Sequence, residues 1–161
     1  MAANLGRTVK RWTNFIVGDS AAVLRAIPID SINGVGLNYP EADMTAFQDA
    51  LKGVLPDTPE CVIDITGPLD SAAAAASPAL SGSHTVLTGI NGLSVPLSVD
   101  VQIGIRHAWE AGEPQFGITK SATSGFLCVN YTVNPDTMRY SAKFVMFPGS
   151  SAPAWGVASE S

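Results

Sequence analysis

The side chains best suited to proton transfer in this sequence are its two histidines. His84 follows several serines and has Asp70 upstream, the residue types of a hydrolase triad. No G-x-S-x-G turn precedes His84, and the spacing of these residues matches no known triad. His107 lies beside Trp109, a setting typical of a stacked or half-buried structural ring. We therefore expect neither histidine to be catalytic.

The other residues that could do chemistry also lack the spacing that chemistry needs. A zinc ion would take its ligands from the two histidines, Cys61 and Cys128, which are not spaced as in a zinc finger or a helical pair. The remaining candidates are carboxylate pairs and glycines: Asp64/Asp70, Glu110/Glu113 and Gly34-x-Gly36. Acidic residues in loops are usually solvated, and a lone G-x-G is not a dinucleotide fingerprint. The sequence predicts a protein that is not an enzyme, with no catalytic residue, cofactor or metal.

Composition favours association with other protein chains. The 161 residues suit one domain spanning 1–161, and only 14% of them are charged, against ~25% in a typical domain. No run of ~18 apolar residues could cross a bilayer, so we expect other copies of the chain to cover the sparsely charged surface. The net charge of −5 argues against a basic surface that binds nucleic acid.

Cysteine usage and the first residues predict an intracellular protein. Cys61 and Cys128 lie in apolar segments, which favours buried thiols, although the pattern leaves their redox state open. The first residues contain no apolar run of the kind found in a secretory signal. We expect the chain to be made and kept in a cytoplasm.

Alternation of apolar and polar residues predicts a mainly antiparallel β protein. The predicted strands are Arg11–Val17, Ala21–Ile29, Asn33–Leu37, Cys61–Thr66, Phe126–Val133 and Met138–Phe147, with hairpin turns at Gly18-Asp19-Ser20 and Asn134-Pro135-Asp136-Thr137. Three segments are predicted to lie outside the sheets: an N-terminal arm at 1–10, an exposed Ala/Ser-rich loop at 70–82 and a C-terminal tail at 149–161.

One segment has the pattern of a helix. Thr45 and Gln48 have the spacing of a capping box, and an apolar stripe follows at helical spacing: Phe47, Leu51, Val54 and Leu55. Pro56 would end the helix. We expect a short amphipathic helix that lies across a sheet.

The strongest pattern in the chain predicts an unusually long strand. Apolar residues occupy every second position from Val95 to Ile105, and mostly polar residues fill the gaps as far as Arg106. Such a strand has about eleven residues, roughly twice the usual length. A strand of this length exposes unpaired edges unless neighbouring copies cover them.

Two short motifs precede this strand. They are Asp43-Met44-Thr45-Ala46-Phe47-Gln48-Asp49 and Ile63-Asp64-Ile65-Thr66-Gly67-Pro68-Leu69-Asp70. They resemble the D-x-T-x-F-x-D helix start and the I-x-I-S/T-G-x-x-D strand of the major tail tube proteins of long-tailed bacteriophages with flexible tails. The order of the later segments is also similar: Ser83–Leu87, the long strand, the closing hairpin and Ala154-Trp155-Gly156.

The resemblance implies a β-sandwich or barrel with one flanking helix. Six copies would close into a ring whose long strands form an inner barrel, and stacked rings would make the tube through which phage DNA is ejected. DNA would pass without sequence-specific binding, and other tail proteins would be partners. The protein would be assembled in the host cytoplasm and reside in the virion tail. The Ala-rich stretch at 72–79 departs from the family pattern, which leaves its placement between rings open.

This interpretation assigns a role to each face of the long strand. The polar residues predicted to face the lumen are Ser98, Asp100, Gln102 and Arg106, while Val99, Val101, Ile103 and Ile105 pack inside. Replacing Val101 with Asp is expected to stop assembly. Three alternatives stay open: a tail terminator, a capsid decoration protein and a carbohydrate-binding β-sandwich.

Overall fold

Two antiparallel sheets pack face to face in the computed structural model, which describes residues 13–21, 23–48, 50–73, 81–103 and 114–157. The five-stranded sheet has the order β11-β8-β7-β1-β2, with β1 Thr13–Gly18, β2 Leu24–Ile27, β7 Val99–Ile103, β8 Pro114–Ile118 and β11 Ala154–Val157. The four-stranded sheet has the order β3-β6-β10-β9, with β3 Ser31–Asn33, β6 Val62–Pro68, β9 Phe126–Asn134 and β10 Arg139–Met146. A separate pair joins β4 Glu41–Asp43 to β5 Val54–Pro56.

The core lies between the two large sheets. Alternate residues of the five-stranded sheet, such as Phe15, Val101 and Phe116, are buried in the same cluster as Ile65 and Phe144 of the other sheet. The rings of Phe15 and Phe144 meet across the two layers with centroids 5.2 Å apart. The predicted mainly β, sandwich-like fold is confirmed.

The predicted first hairpin and closing hairpin are both present. β1 pairs with β2, and Asp19 holds their turn by accepting the backbone N–H groups of Ala21 and Val23, both at 2.9 Å. β9 pairs with β10, with an irregularity in register between Lys143 and Phe144. A local side chain also holds the second turn, since Asn134 Oδ1 accepts the N–H of Asp136 at 3.0 Å.

The predicted helix after Thr45 does not form. The chain instead makes a two-stranded hairpin in which Asp43 pairs with Val54. Asp43 Oδ1 accepts the N–H of Thr45 at 2.9 Å, and Thr45 Oγ1 accepts the N–H of Gly53 at 2.8 Å. The polar side chains that could have capped a helix therefore cross-link two strands.

The helix of the described part of the chain is α1, Ser83–Ile90, which the sequence pattern does not predict. Its first turn lacks acidic residues and its N-cap makes no side-chain hydrogen bond, so the usual start signals are weak. Tertiary packing holds it, because Val86, Leu87 and Ile90 are buried in the core. No helix among the residues described here is long and apolar enough to span a bilayer.

The predicted strand of about eleven residues is not continuous, because β7 begins at Val99 and residues 95–98 lie outside it. Leu97 exchanges backbone hydrogen bonds with Phe126 in the four-stranded sheet, at 2.8 and 2.9 Å, while Val99–Ile103 runs in the five-stranded sheet. Val95 is exposed, which contradicts its predicted inward position. Residues 104–106, including Ile105 and Arg106, lie outside the described residues.

Three other predictions need correction or lie partly outside the described residues. The third strand is Ser31–Asn33, because Gly34 takes a φ of +85° with its α-carbon packed against the Val62 carbonyl. In the predicted exposed loop at 70–82, Ser81 and Gly82 are buried and 74–80 lie outside the description. The predicted tail at 149–161 contains β11, and residues 1–10 and 158–161 are likewise not described.

Candidate assembly surfaces

The side chains of a triad type, which we expected not to be catalytic, make other hydrogen bonds. The carboxylate of Asp70 accepts the N–H of Ala72, and Ser83 Oγ donates to the carbonyl of Pro68 at 3.0 Å. The His84 ring instead lies 2.9 Å from the hydroxyl of Tyr131. The three side chains therefore form no relay toward a serine hydroxyl. His107 lies outside the described residues.

The two cysteines are buried, and their thiols have different hydrogen-bond partners. Cys61 Sγ donates to the carbonyl of Gly34, and Cys128 Sγ donates to the side chain of Asn91. Both thiols are free, and burial raises the pKa of Cys128 to about 11. Among the residues that the structure describes, no three His, Cys, Asp or Glu side chains gather as metal ligands would.

A hydrogen-bonded polar face lies on the side of the five-stranded sheet opposite the core. We call it the amide face: Asn14, Asp100, Gln102 and Gln115. Gln102 Nε2 donates to Gln115 Oε1 at 3.0 Å, and Gln115 Nε2 donates to Asp100 Oδ1 at 3.3 Å. Asn14 lies opposite Gln102 in the register of β1 and β7. The same side of the sheet also carries a small buried apolar cluster at Ile16 and Ala26, since Ile16 lies opposite Asp100.

Three of the predicted lumen residues lie on this side of the sheet. Gln102 is only 1% exposed and Ser98 is buried, with its Oγ accepting the N–H of Lys120 at 2.8 Å. Asp100 is half-buried. Arg106 lies outside the described residues. The assignment of Ser98, Asp100 and Gln102 to a lumen stays a prediction.

Gln115 belongs to the amide face although the sequence pattern does not single it out. The signal that could have found it is the alternation in β8, where Phe116 and Ile118 are apolar and Gln115 and Gly117 are not. Gly117 lets Asp100 lie across β8, because an added Cβ would be 2.5 Å from Asp100 Oδ1. Burial raises the pKa of Asp100 to about 6.

The second surface is a projecting hairpin, residues 38–60, which we call the arm. At its base, Asn38 and Glu60 exchange backbone hydrogen bonds at 2.9 and 2.8 Å. Further out, Met44 N–H donates to the Gly53 carbonyl. The tip beyond this point carries Phe47, which is fully exposed, and Leu51, which is 84% exposed. Contiguous exposed apolar patches mark contact sites for other proteins, and Met44, Phe47, Leu51 and Leu55 are all more than half exposed in this hairpin.

The third surface combines a cavity with an exposed sheet edge. A cavity of about 360 Å³ lies at the base of the arm, lined by Gly34, Val35, Gly36, Leu37, Asn38, Glu60 and Val62. We call it the base cavity. The indole of Trp155 in β11 lies close to Gly36 and contacts Phe116 with ring centroids 5.0 Å apart. Trp155 is 54% exposed, so apolar surface reaches solvent at this edge.

No protein-family profile matches the chain, and no curated protein matches its sequence. Solved structures do match its fold. A chain of the sheath–tube complex of the PVC extracellular contractile injection system has a TM-score of 0.55 at 10% identity, covering 95% of this chain and 93% of that one. The cap that terminates the anti-feeding prophage tube has a TM-score of 0.56 at 10% identity, covering 98% and 95%.

A third solved structure is the sheath/tube terminator of the same PVC system, with a TM-score of 0.55 at 11% identity, covering 96% of this chain and 99% of that one. These identities are low, so the likeness concerns the fold. It extends over nearly the whole length of both partners in each case. The chain therefore has the β fold found in structural components of phage-tail-like injection systems.

Proposed function

We propose that this chain is a non-catalytic structural subunit of a phage tail-like tube, the major tube protein that stacks in rings. The observation that carries the proposal is the end-to-end fold match with sheath–tube, cap and terminator components. The particular assembly that we propose is the tail tube of a bacteriophage with a flexible tail, as the sequence resemblance implies. Its subunits would assemble in the host cytoplasm, close into hexameric rings and join other tail proteins.

The surfaces of the chain support a role in self-assembly. The arm exposes Phe47 and Leu51, and β11 leaves Trp155 half uncovered. A chain with only 14% charged residues has little charge with which to solvate such patches. Burying each large side chain against another copy would contribute roughly 1.5–3 kcal/mol, so neighbouring copies are the natural cover.

The amide face suits the lumen of a DNA conduit. Neutral amides offer no cationic charge to phosphates, and strong DNA binding depends on such charge. Asp100, held in a hydrogen bond with Gln115, adds at most one weak negative charge per copy. The amide face would therefore neither bind the DNA phosphates strongly nor recognise particular bases. In this proposal the half-buried Asp100 borders the lumen, and Ser98 and Gln102, which are covered within one chain, lie behind it. Arg106, the one cation predicted for this face, lies outside the described residues.

A tube terminator is the second candidate. Two of the matching structures are named as a tube-terminating cap and a sheath/tube terminator. A terminator would close into one ring and present only one face to a tube. The two candidates therefore differ in whether the purified chain elongates.

Negative-stain electron microscopy of the purified chain separates these outcomes. A major tube subunit is expected to give tubes or stacked rings with six copies in each ring. Discrete single rings at every concentration would favour the terminator. A chain that stays monomeric under the same conditions would contradict both candidates.

A further inference from the structure

The tip of the arm and the base cavity are apolar features of one chain that cannot meet within that chain. The antiparallel ladder of the arm starts at an isolated bridge between Asn38 and Glu60 and continues, after a register irregularity, through β4 and β5 to Met44 and Gly53. From Asn38 to Met44 the chain advances at most about 20 Å at ~3.3 Å per residue. The ladder holds the tip away from the cavity at its own base. Any tip that fills this cavity must belong to another copy.

Size and polarity of the two features correspond. The cavity of about 360 Å³ has apolar walls at Val35, Leu37 and Val62 and room beside its glycines. A phenylalanine side chain and part of a leucine would fit such a volume. Phe47 and Leu51 are the most exposed apolar side chains of the tip. Their burial there would remove apolar surface of both partners from water.

Charge also corresponds between tip and cavity. Lys52 is exposed beside Leu51, and Glu60 is exposed at the rim of the cavity. Asn38 Nδ2 donates to Glu60 Oε1 at 3.2 Å, which holds the carboxylate at that rim. Asp49, also in the tip sequence, lies outside the described residues. Lys52 of one copy would approach Glu60 of the next.

We propose that the arm tip of one copy, with Phe47 at its end, inserts into the base cavity of a second copy. This inference rests on the proposed self-assembly and names the surfaces that carry it. A contact between two different patches of identical chains is heterologous, so each copy keeps one free tip and one free cavity. Such a contact propagates in one direction, as stacking of a tube requires.

A single tip contact is too small to hold two copies together firmly. One aromatic side chain buries roughly 150–250 Å², whereas a stable specific interface buries about 800 Å² per partner. Several tips must therefore engage at once, as they would between two rings. We expect isolated pairs to be weak and assembly to depend steeply on concentration.

Cysteine cross-linking with a short bismaleimide tests the contact. Phe47→Cys and Val62→Cys place thiols at the tip and in the cavity, both at exposed positions, while Cys61 and Cys128 are buried. A chain carrying both substitutions is expected to give a ladder of covalent oligomers. A mixture of the two single variants should give only dimers with one copy of each. Val129→Cys, at an exposed valine on β9, replaces Val62→Cys in the control and should give no product with Phe47→Cys.

The outcomes separate this inference from the proposed function. Tubes or rings that form without any product between positions 47 and 62 would overturn the inference and leave the function standing. Covalent dimers of Phe47→Cys alone would also overturn it, because they show tip-to-tip contact. A monomeric chain in electron microscopy would remove the proposed function itself. Unchanged melting temperatures of the variants confirm that they fold.

A charge exchange gives a second readout. Lys52→Glu and Glu60→Lys, each alone, are expected to slow cross-linking by up to roughly five-fold, the range of an exposed ion pair. The chain carrying both substitutions should recover the original rate. If both single variants cross-link as fast as the parent chain, the orientation proposed for the tip is wrong.

Discussion

Asp100 lies half-buried on a sheet face where its described partners are neutral amides. Burial raises its pKa to about 6, above the ~3.9 of an unfolded aspartate. As pH rises, the unfolded chain therefore releases this proton first. The contribution of Asp100 to the free energy of unfolding is full below about pH 4, falls between about pH 4 and pH 6, and is level above that.

Replacing Asp100 with Asn removes this titration and keeps a hydrogen-bond acceptor for Gln115. We expect the variant and the parent chain to be equally stable near pH 4. At pH 8 the variant should be more stable by on the order of 1–2 kcal/mol, a value reduced for the remaining solvent exposure. Urea unfolding at both pH values measures the difference. Parallel pH profiles of the two proteins would contradict the assignment.

Gly117 is required by the close approach of β7. A Cβ at this position would lie 2.0 Å from the Val99 carbonyl oxygen, so Gly117→Ala must displace backbone. We expect a loss of roughly 1–3 kcal/mol in the free energy of unfolding, measured by urea titration. Gly156→Ala on the adjacent strand is the control, because nothing lies within 4 Å of its Cβ position. Equal losses at the two glycines would contradict this reading.

At the scale of elements, the arm shows how local signals mislead. Thr45, Gln48 and the stripe that begins at Phe47 satisfy the local rules for a helix. A helix of this length needs a surface on which to bury its stripe, yet Phe47 and Leu51 are exposed. The hydrogen bonds of Asp43 and Thr45 favour the hairpin instead. The sequence pattern therefore locates the exposed apolar residues but not their secondary structure.

Strands and hairpins were more predictable than their arrangement. The alternation of Cys61, Ile63 and Ile65 correctly predicts inward side chains in β6. The interruption of the long strand at Leu97 could not be predicted, because it depends on pairing with Phe126 from a distant segment. Gln115 joins the amide face for the same reason, since only the pairing of β7 with β8 brings it beside Gln102.

Substituting the arm tip should affect assembly without affecting folding. Phe47→Asp removes a fully exposed side chain, so we expect the melting temperature to change little and elongation to be lost. Met138→Asp, at an exposed position in another hairpin, is the control and should assemble normally. The increase of light scattering with time measures the elongation of both variants. Normal elongation of Phe47→Asp would show that the tip makes no essential contact.

The substitution Val101→Asp, which the sequence pattern suggests as a way to stop assembly, is a poor test of assembly. Val101 is fully buried in the core between β1 and β8, so the substitution places a charge among apolar side chains. Unfolding would then mask any effect on association. Substitutions at exposed positions of the arm change association without unfolding the chain, so they separate the two effects.

At the scale of the whole molecule, the chain is a folded domain with its own core and with exposed apolar side chains on its arm and edge strand. The core between the sheets is complete in one chain, since Phe15, Phe116 and Phe144 are fully buried. Phe47, Leu51 and Trp155 are exposed in the single chain, and in the proposed assembly other copies cover them. The end-to-end likeness to components of tail-like injection systems concerns the fold, and the cover by other copies belongs to the proposed function.

The most direct measurement of self-association is the molar mass of the purified chain by multi-angle light scattering across a wide range of concentration. For a self-assembling tube subunit we expect a mass that rises steeply from that of the 16.7 kDa chain toward hexamers and larger multiples. A mass that stays at one chain up to the highest soluble concentration would contradict this expectation.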